Sequence, residues 1–361
     1  MDPVRNQERE RVPVREAFHD VRDPISNGVD VRGKKVFVGL SGGVDSSVSA
    51  ALLQQAGAKV TGVFIKGWYP PGMPCTWATE RRDAMRVAAR LSIPFLTLDA
   101  SSEYKTGVID YLLIEYRAGR TPNPDIMCNK EVKFGAFYRY ATSLGADAIA
   151  MGHYRSGEKD QSYFLWAVPK AMLAETIFPV GHMEKSEVRA LAKRFNLPVA
   201  EKKDSQGICF LGSVSVEEFL KSQFGILPGH ARDTQGHTIG QHDGVFLSTL
   251  GQRIALRESN EAGPWFVLAK DIEKNELIVS KVRFEDRAYA IREIPFGNAN
   301  WFSEPTGVIE AQYRYRGPHV RGSVVGGLFT STEPLPEIFT PGQSIVFYHN
   351  DELVGGGIIA S

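Results

Sequence analysis

Val36, Phe37, Val38, Gly39 and Leu40 form a short apolar run of the buried-strand kind, which opens directly onto Ser41-Gly42-Gly43-Val44-Asp45-Ser46-Ser47. Beyond that turn Val48, Ala51, Leu52 and Leu53 recur at helical spacing, and Gly57 closes the helix. A strand that feeds a helix through so tight a turn lays the helix back on a sheet face, and the following strand then runs parallel to the first. The pattern repeats: a strand at 60–65, a helix near 77–91, a strand near 94–98, helices near 103–117 and 131–144, a strand at 148–151, a further strand at 163–166 and a helix at 185–195. These segments predict an α/β fold, a Rossmann-like domain with a parallel sheet over residues 33–212.

Near residue 212 the texture changes. One helix near 215–222 leads into short segments punctuated by Gly225, Gly229, Gly236, Gly240, Gly244 and Gly251, with strands expected at 266–269 and 277–279. From 283 onward the alternation is that of β-strands, as at 308–315 and 344–348. The expected division is therefore an extension at 1–32, the α/β domain at 33–212, a small β-rich domain at 213–282 and a C-terminal β-barrel at 283–361.

Bulk properties exclude several classes. No apolar run reaches the roughly 18 residues of a membrane helix. Asp2, Glu8, Glu10 and Glu16 among the first arginines fit neither a secretory signal nor a transit peptide, so the expected location is cytoplasmic. Lys plus Arg equals Asp plus Glu at 42 each, which argues against nucleic-acid binding by bulk charge and leaves room for local charge and shape recognition. The 3 cysteines, Cys75, Cys128 and Cys209, contain no C-x-x-C pair. That excludes a structural zinc site or a disulfide framework and leaves isolated thiols in a reduced compartment.

The turn at 41–47 is chemically loaded. Glycines let backbone N–H groups close on an anion, the helix N-terminus adds its positive dipole end, and Ser41, Ser46 and Ser47 add hydroxyl donors. No Walker lysine follows, and the near-imitation from Gly28 to Lys34 precedes the strand and lacks the Ser/Thr. The loop resembles that of the ATP pyrophosphatases, which cleave between the α- and β-phosphates and leave an adenylate on the substrate. Mg²⁺ is expected with the leaving pyrophosphate.

Two thiols sit in unusual surroundings. Pro122 and Pro124 fix an extended loop that delivers Asp125 and then Cys128, with a helix expected just after. A thiol there, near Lys130 and Lys133, has a lowered pKa, and Asp125 is close enough to act as base or orienter; a buried cysteine in a helix-capping region reads equally from the same residues. Cys209 lies in Lys202-Lys203-Asp204-Ser205-Gln206-Gly207-Ile208-Cys209, again with lysines upstream. Cys75, among Pro70, Pro71 and Pro74, is read as a loop thiol without a role. His153, after a strand end, suits either a site or a satisfied core position. Tyr313-Arg314-Tyr315-Arg316 alternates along an expected strand, as an RNA-binding face or a solvated one. Trp265, Phe266 and Trp301 are expected in cores.

Taken with Gly152-His153-Tyr154, Lys159-Asp160-Gln161, Gly251-Gln252-Arg253, Pro264-Trp265 and Lys270-Asp271, these motifs make the chain resemble the tRNA-specific 2-thiouridylase family from about residue 34 to 358. The resemblance implies that Gly39, Leu40, Ser41, Gly42, Gly43, Val44, Asp45 and Ser46 bind ATP, with Ile65 and Gly152 on the adenine side. It implies that Asn123, Pro124 and Asp125 meet the target base, that Cys128 is the nucleophile, and that Cys209 carries a persulfide. It further implies that His153, Lys159, Asp160, Gln161, Arg314, Tyr315 and Gln343 meet tRNA. The implied reaction thiolates C2 of the wobble uridine, releasing AMP and pyrophosphate. Sulfur would come from a cysteine desulfurase or a relay protein, and a transient Cys128–Cys209 disulfide would form. The sequence departs from the family in the short segment 155–158, in Ile65 for a common Met, in Ser248 for a usual Tyr and in Ala255 for a usual Gly. Two other readings keep the same loop: an ATP pyrophosphatase that activates a substrate for amination, which needs no paired thiols, and an RNA-binding protein that consumes no ATP.

Overall fold

A computed structural model describes residues 30–70, 76–157, 159–203, 214–283 and 291–361. Cys75, Cys209 and most of the 1–32 extension lie outside the described residues. Strand β1 (Lys35–Gly39) enters helix α1 (Val44–Gln55), which is followed by β2 (Lys59–Lys66), α2 (Trp77–Leu91) and β3 (Phe95–Asp99). Helix α3 begins at Ser101–Tyr104 and continues through a widened stretch, Lys105–Asp110, into Tyr111–Arg117. Helix α4 likewise runs Pro124–Met127, widens over Cys128–Ala136 and resumes as Phe137–Ser143. In that stretch the Phe137 N–H donates to the Val132 carbonyl, five residues back, which is π-type spacing and recurs at functional sites. Gly107 lets the two widened stretches touch, since a Cβ there would fall 2.7 Å from Glu131 Cγ.

Strands β4 (Ala148–Ala150) and β5 (Thr176–Ile177) and helix α5 (Lys185–Arg194) complete the first domain. Its sheet runs β3-β2-β1-β4-β5, every pairing parallel. The chain winds from β1 to one edge and then crosses to β4 on the other side of β1. That reversal opens a crevice beyond the carboxyl ends of β1 and β4, where open α/β sheets take their ligands. One face of the sheet packs Val38, Leu52 and Phe64 against α1, α2 and α5; the other packs Phe37, Val63, Phe134 and Ile149.

Helix α6 (Val216–Phe224) starts on a capping box between Ser215 and Glu218. It leads into a five-stranded sheet ordered β7-β6-β10-β9-β8, from β6 (Gly229–Arg232), β7 (Thr238–His242), β8 (Arg253–Ile254), β9 (Trp265–Asp271) and β10 (Glu276–Ser280). Strands β11 (Glu293–Trp301), β12 (Ile309–Gln312), β13 (Val320–Val325), β14 (Leu328–Ser331), β15 (Ser344–His349) and β16 (Glu352–Ile359) close into a barrel ordered β11-β14-β13-β12-β15-β16. The fold is the expected one: a parallel α/β sheet, a small β-rich unit and a β-barrel. Trp265 and Phe266 are buried in the middle unit, and Trp301 packs against the barrel core.

Three local expectations are corrected. Residues 163–166 form no strand: Ser162–Leu165 is a tight helical turn whose apolar side chains Tyr163 and Leu165 are buried, so the short apolar run marked burial and not extension, and the sheet's fifth strand is β5. The helix bearing Cys128 begins at Pro124, before the cysteine, because Asn123 accepts the Asp125 N–H and Pro124 suits a first helical turn. Arg314 and Arg316 do not alternate along a strand, since β12 ends at Gln312 and Arg316 turns the chain at φ +61. There Tyr313 is buried in the barrel core and Arg314 pairs with Glu337.

Candidate active site

At the crevice the loop from Ser41 to Ser47 is built from its own backbone. Gly42 has φ +74, and a Cβ on it would lie 2.4 Å from the Glu80 carbonyl, so only glycine fits where the loop presses on α2. The Gly43 N–H donates to Ser41 Oγ at 3.2 Å, the Ser41 N–H to Ser46 Oγ at 3.3 Å, and the Ser47 hydroxyl to the Gly43 carbonyl at 2.6 Å. Across the crevice Gly152, beyond β4, meets the first turn of α1 so closely that a Cβ would lie 2.8 Å from Ser46 N.

Two adjoining cavities open here. The larger, about 400 Å³, is lined by the loop residues Gly43, Asp45 and Ser46, by Gly152, His153 and Gln161, and by the cations Lys133, Lys159, Lys185, Lys203 and Arg316. Its carboxylate, Asp45, is already engaged: Lys185 Nζ donates to both of its oxygens at 2.6 and 2.8 Å, and the Tyr154 hydroxyl donates at 2.7 Å. Five cations line the cleft against this one carboxylate, an excess of positive charge that favours anions. The smaller cavity is apolar, lined by Leu40, Val63, Phe64, Ile65, Trp68 and Cys128. The two share Gly39, Ser41, Lys133 and Met151 as a common wall.

Ile65 has a particular position in that apolar cavity. The Leu40 N–H donates to the Val63 carbonyl, while the Gly62 N–H and the Lys66 carbonyl bond towards β3. Alternation along a parallel strand therefore turns the N–H and carbonyl of Ile65 towards the side where β1 has already ended at Gly39. A donor and an acceptor thus face the cavity mouth side by side.

Cys128 is buried, 3% exposed, at the base of this cavity. Half-buried Asp125, one turn earlier, has its carboxyl pushed up from the ordinary carboxylate value by desolvation, partly offset by Lys133. Asn123 caps the helix, and Pro124 is buried. His153 is buried against the rings of Phe134 and Phe178, at 5.6 and 6.3 Å, and desolvation holds its pKa down at about 3, so the ring is neutral. Its buried Nδ1 has no hydrogen-bond partner in the chain among the described residues.

The other sequence-named residues divide between the cleft and the joints around it. Lys159, Gln161 and Tyr315 line the cleft. The Asp160 carboxylate caps the following turn by accepting from the Ser162 N–H at 2.7 Å, and its carbonyl accepts from the Tyr315 hydroxyl at 3.3 Å. Gln343 stands at a domain joint, where its side-chain amide donates to the Thr121 carbonyl at 2.7 Å. Arg314 is exposed beside Glu337. Sequence reasoning gave no site role to Tyr154, Lys185 or Lys203 and weighed Arg316 only as part of an RNA-binding or solvated face; Tyr154, Lys203 and Arg316 stood inside quoted stretches, but nothing local marks Lys185, which opens an ordinary surface helix. Lys203 is the last described residue before the segment that carries Cys209, and Val214, the first after it, packs on the apolar cluster containing Cys128. Among the described residues no group of three His, Cys, Asp or Glu side chains is placed to hold a metal ion. No helix among them is long and apolar enough to cross a membrane.

Comparison with known proteins agrees with this layout. Residues 34–213 match a family model described as a tRNA methyl transferase HUP domain, residues 217–281 a tRNA methyl transferase PRC-barrel domain, and residues 291–359 an aminomethyltransferase β-barrel domain. The tRNA-specific 2-thiouridylase MnmA of Pseudomonas fluorescens is 41% identical over 367 residues, covering 94% of this chain and 97% of the relative. MnmA 2 of Geobacillus kaustophilus is 41% identical over 350 residues, covering 90% and 94%. MnmA of Streptococcus sanguinis is 40% identical over 360 residues, covering 90% and 95%. Similarity of this extent, running through all three structural units, establishes that the chain belongs to the tRNA-specific 2-thiouridylase family, a family of tRNA sulfurtransferases.

Proposed function

We propose that this protein thiolates C2 of the wobble uridine in tRNA, using ATP to activate the uracil oxygen and a persulfide on Cys209 to supply sulfur. The observation that carries the reading is that Cys128 shares one cavity with Gly39, Leu40 and Ser41 of the phosphate loop. A thiol and a nucleotide-binding turn need not lie together unless one reaction uses both.

The adenine enters the apolar cavity against Ile65, whose outward N–H and carbonyl match the N1 acceptor and N6 donor of adenine, and the phosphates lie along the loop from Ser41 to Ser46 towards Gly152 and the cations. Mg²⁺ would be held by phosphate oxygens and water, since both oxygens of Asp45 are taken by Lys185, and it would neutralise charge on the pyrophosphate. The uracil C2 carbonyl is a poor electrophile. Transfer of AMP to its oxygen makes that oxygen a leaving group and releases pyrophosphate. The terminal sulfur of the Cys209 persulfide then bonds to C2, AMP departs with the oxygen, and the Cys128 thiolate attacks Cys209 Sγ, breaking the S–S bond and leaving C2=S. If Cys128 attacks first, hydrosulfide is released and adds to C2, with the same bonds made and broken overall. Either order ends in a Cys128–Cys209 disulfide, which an external thiol must reduce. Asp125 serves as the base, its raised carboxyl pKa suiting proton transfer nearer neutrality. Asn123 and Pro124 meet the everted base. His153 offers an uncharged ring to the cleft, and Lys159, Asp160, Gln161, Arg314, Tyr315 and Gln343 border the RNA.

The test is transfer of radiolabelled sulfur to unmodified tRNA with ATP and a cysteine desulfurase. The wild type should label tRNA; Cys128→Ser should retain label on the protein, and Cys209→Ser should take up none. Labelling of tRNA by both variants at the wild-type rate would sink the roles given to the two thiols, and a wild type that consumes ATP but leaves tRNA unlabelled would favour an amination enzyme. Failure of the wild type to consume ATP would favour a plain RNA binder.

A further inference from the structure

We propose that Lys202 is a positioning residue for nucleotide binding, which locks the Gly42–Gly43 peptide with its carbonyl turned out of the anion cleft. The inference rests on the reading that this loop receives nucleotide phosphates. A phosphate loop works only when its N–H groups face the anion. In a trans peptide the carbonyl points opposite to the N–H, so a reversed peptide would aim an oxygen at the phosphate. Glycine stands on both sides of this peptide, and it must at Gly42, because the loop runs at φ +74 with the Glu80 carbonyl 2.4 Å from where a Cβ would be. The packing that demands glycine therefore leaves the peptide plane the freest in the loop.

Besides the Gly43 N–H bond to Ser41 Oγ, the structure adds a restraint on the other side of the peptide. Lys202 Nζ donates to the Gly42 carbonyl at 3.0 Å and to Asp83 Oδ2 on α2 at 2.7 Å. A charge-assisted bond to that carbonyl fixes the N–H of the same peptide, on Gly43, towards Ser41 and the cleft. The backbone of Lys202 is itself held: Arg189 donates to its carbonyl at 3.2 Å. Arg189 lies one turn after Lys185 on α5, so one helix face grips the first turn of α1 through Asp45 and the loop's outer side through Lys202. Lys203, and not Lys202, lines the cleft, which places Lys202 behind the loop and away from a bound phosphate.

The test is calorimetric titration of the wild type, Lys202→Arg, Lys202→Met and Asp83→Asn with an α,β-methylene analogue of ATP, without tRNA or sulfur donor, so that the Cys209 segment is not called upon. Lys202→Met should bind on the order of tenfold more weakly, and Lys202→Arg within about threefold of the wild type, since a guanidinium reaches the same carbonyl. Asp83→Asn should fall between, and the Asp83→Asn, Lys202→Met double variant should be no weaker than Lys202→Met alone, because the two act in one chain. Binding of tRNA should be equal in all. Nucleotide affinity of Lys202→Met within about twofold of the wild type overturns the proposal while the function stands. A wild type that binds no nucleotide overturns both. If Lys202→Met folds poorly, the arginine and asparagine variants decide alone: losses equal in both overturn the anchor.

Discussion

Lys185 Nζ lies 2.6 Å from one oxygen of Asp45 and 2.8 Å from the other, so a helix late in the first domain grips the first turn of the helix that follows the Gly42–Gly43 loop. The acid is where a helix N-terminus favours negative charge, and the lysine cancels it towards the cleft. Replacing Lys185 by Met leaves a half-buried carboxylate facing the cleft. Stability should fall by about 1–3 kcal/mol, read from urea midpoints, and nucleotide affinity should fall with it. An unchanged affinity would show that the lysine serves the fold alone.

Gly152→Ala places a methyl where Ser46 N lies 2.8 Å and the Asp45 carbonyl carbon 3.0 Å away. Both are backbone atoms of a packed helix, so the first turn of α1 has to shift. The expected result is a loss of ATP-dependent thiolation of about a hundredfold with the fold retained by circular dichroism. Wild-type activity would mean that the crevice is looser than this contact implies.

Asp125 carries a carboxyl that burial pushes up from 3.8. The folded state therefore holds that proton more tightly than the unfolded chain, and stability from this group falls as pH rises through the window between the two values. Asp125→Asn removes the cost of the buried charge. The variant should be at least as stable as the wild type at neutral pH while single-turnover thiolation drops about a hundredfold or more. A destabilised variant with unchanged turnover would assign Asp125 to the fold.

His153 has the opposite sign. Its folded pKa of about 3 lies below the ordinary 6.5, so the unfolded chain takes the proton first and stability is lost as pH falls through that interval. The loss on going to about pH 5 should be around 2 kcal/mol. His153→Phe, which keeps a ring against Phe134 and Phe178, should flatten this acid limb in denaturant titrations. An acid limb identical in the variant would place the titration elsewhere.

Much was legible in the linear order of residues because its causes are local. The apolar run at Val36, the glycine pair at Gly42 and the helical spacing after Ser47 forced a βα unit with an anion-binding turn, and Pro122 and Pro124 announced the loop that leads to Cys128. Local pattern failed where burial was mistaken for extension, as at Tyr163, and where alternation was mistaken for a strand, as at Arg314 and Arg316.

What the amino-acid order determined by itself is the set of chemical parts: the phosphate turn, the isolated thiols, the acid beside Cys128 and the succession of α/β, β-rich and barrel units. Those follow from backbone conformational limits and hydrophobic period, which act over a few residues. Only the tertiary structure decided that Lys185 meets Asp45, that Lys202 meets Gly42, that Cys128 opens onto the same cavity as Leu40, and that Gln343 of the barrel holds the carbonyl of Thr121. These pairs are far apart in sequence and come together only when the sheet, its helices and the barrel pack, and that packing, with no local preference, sets which groups face each other.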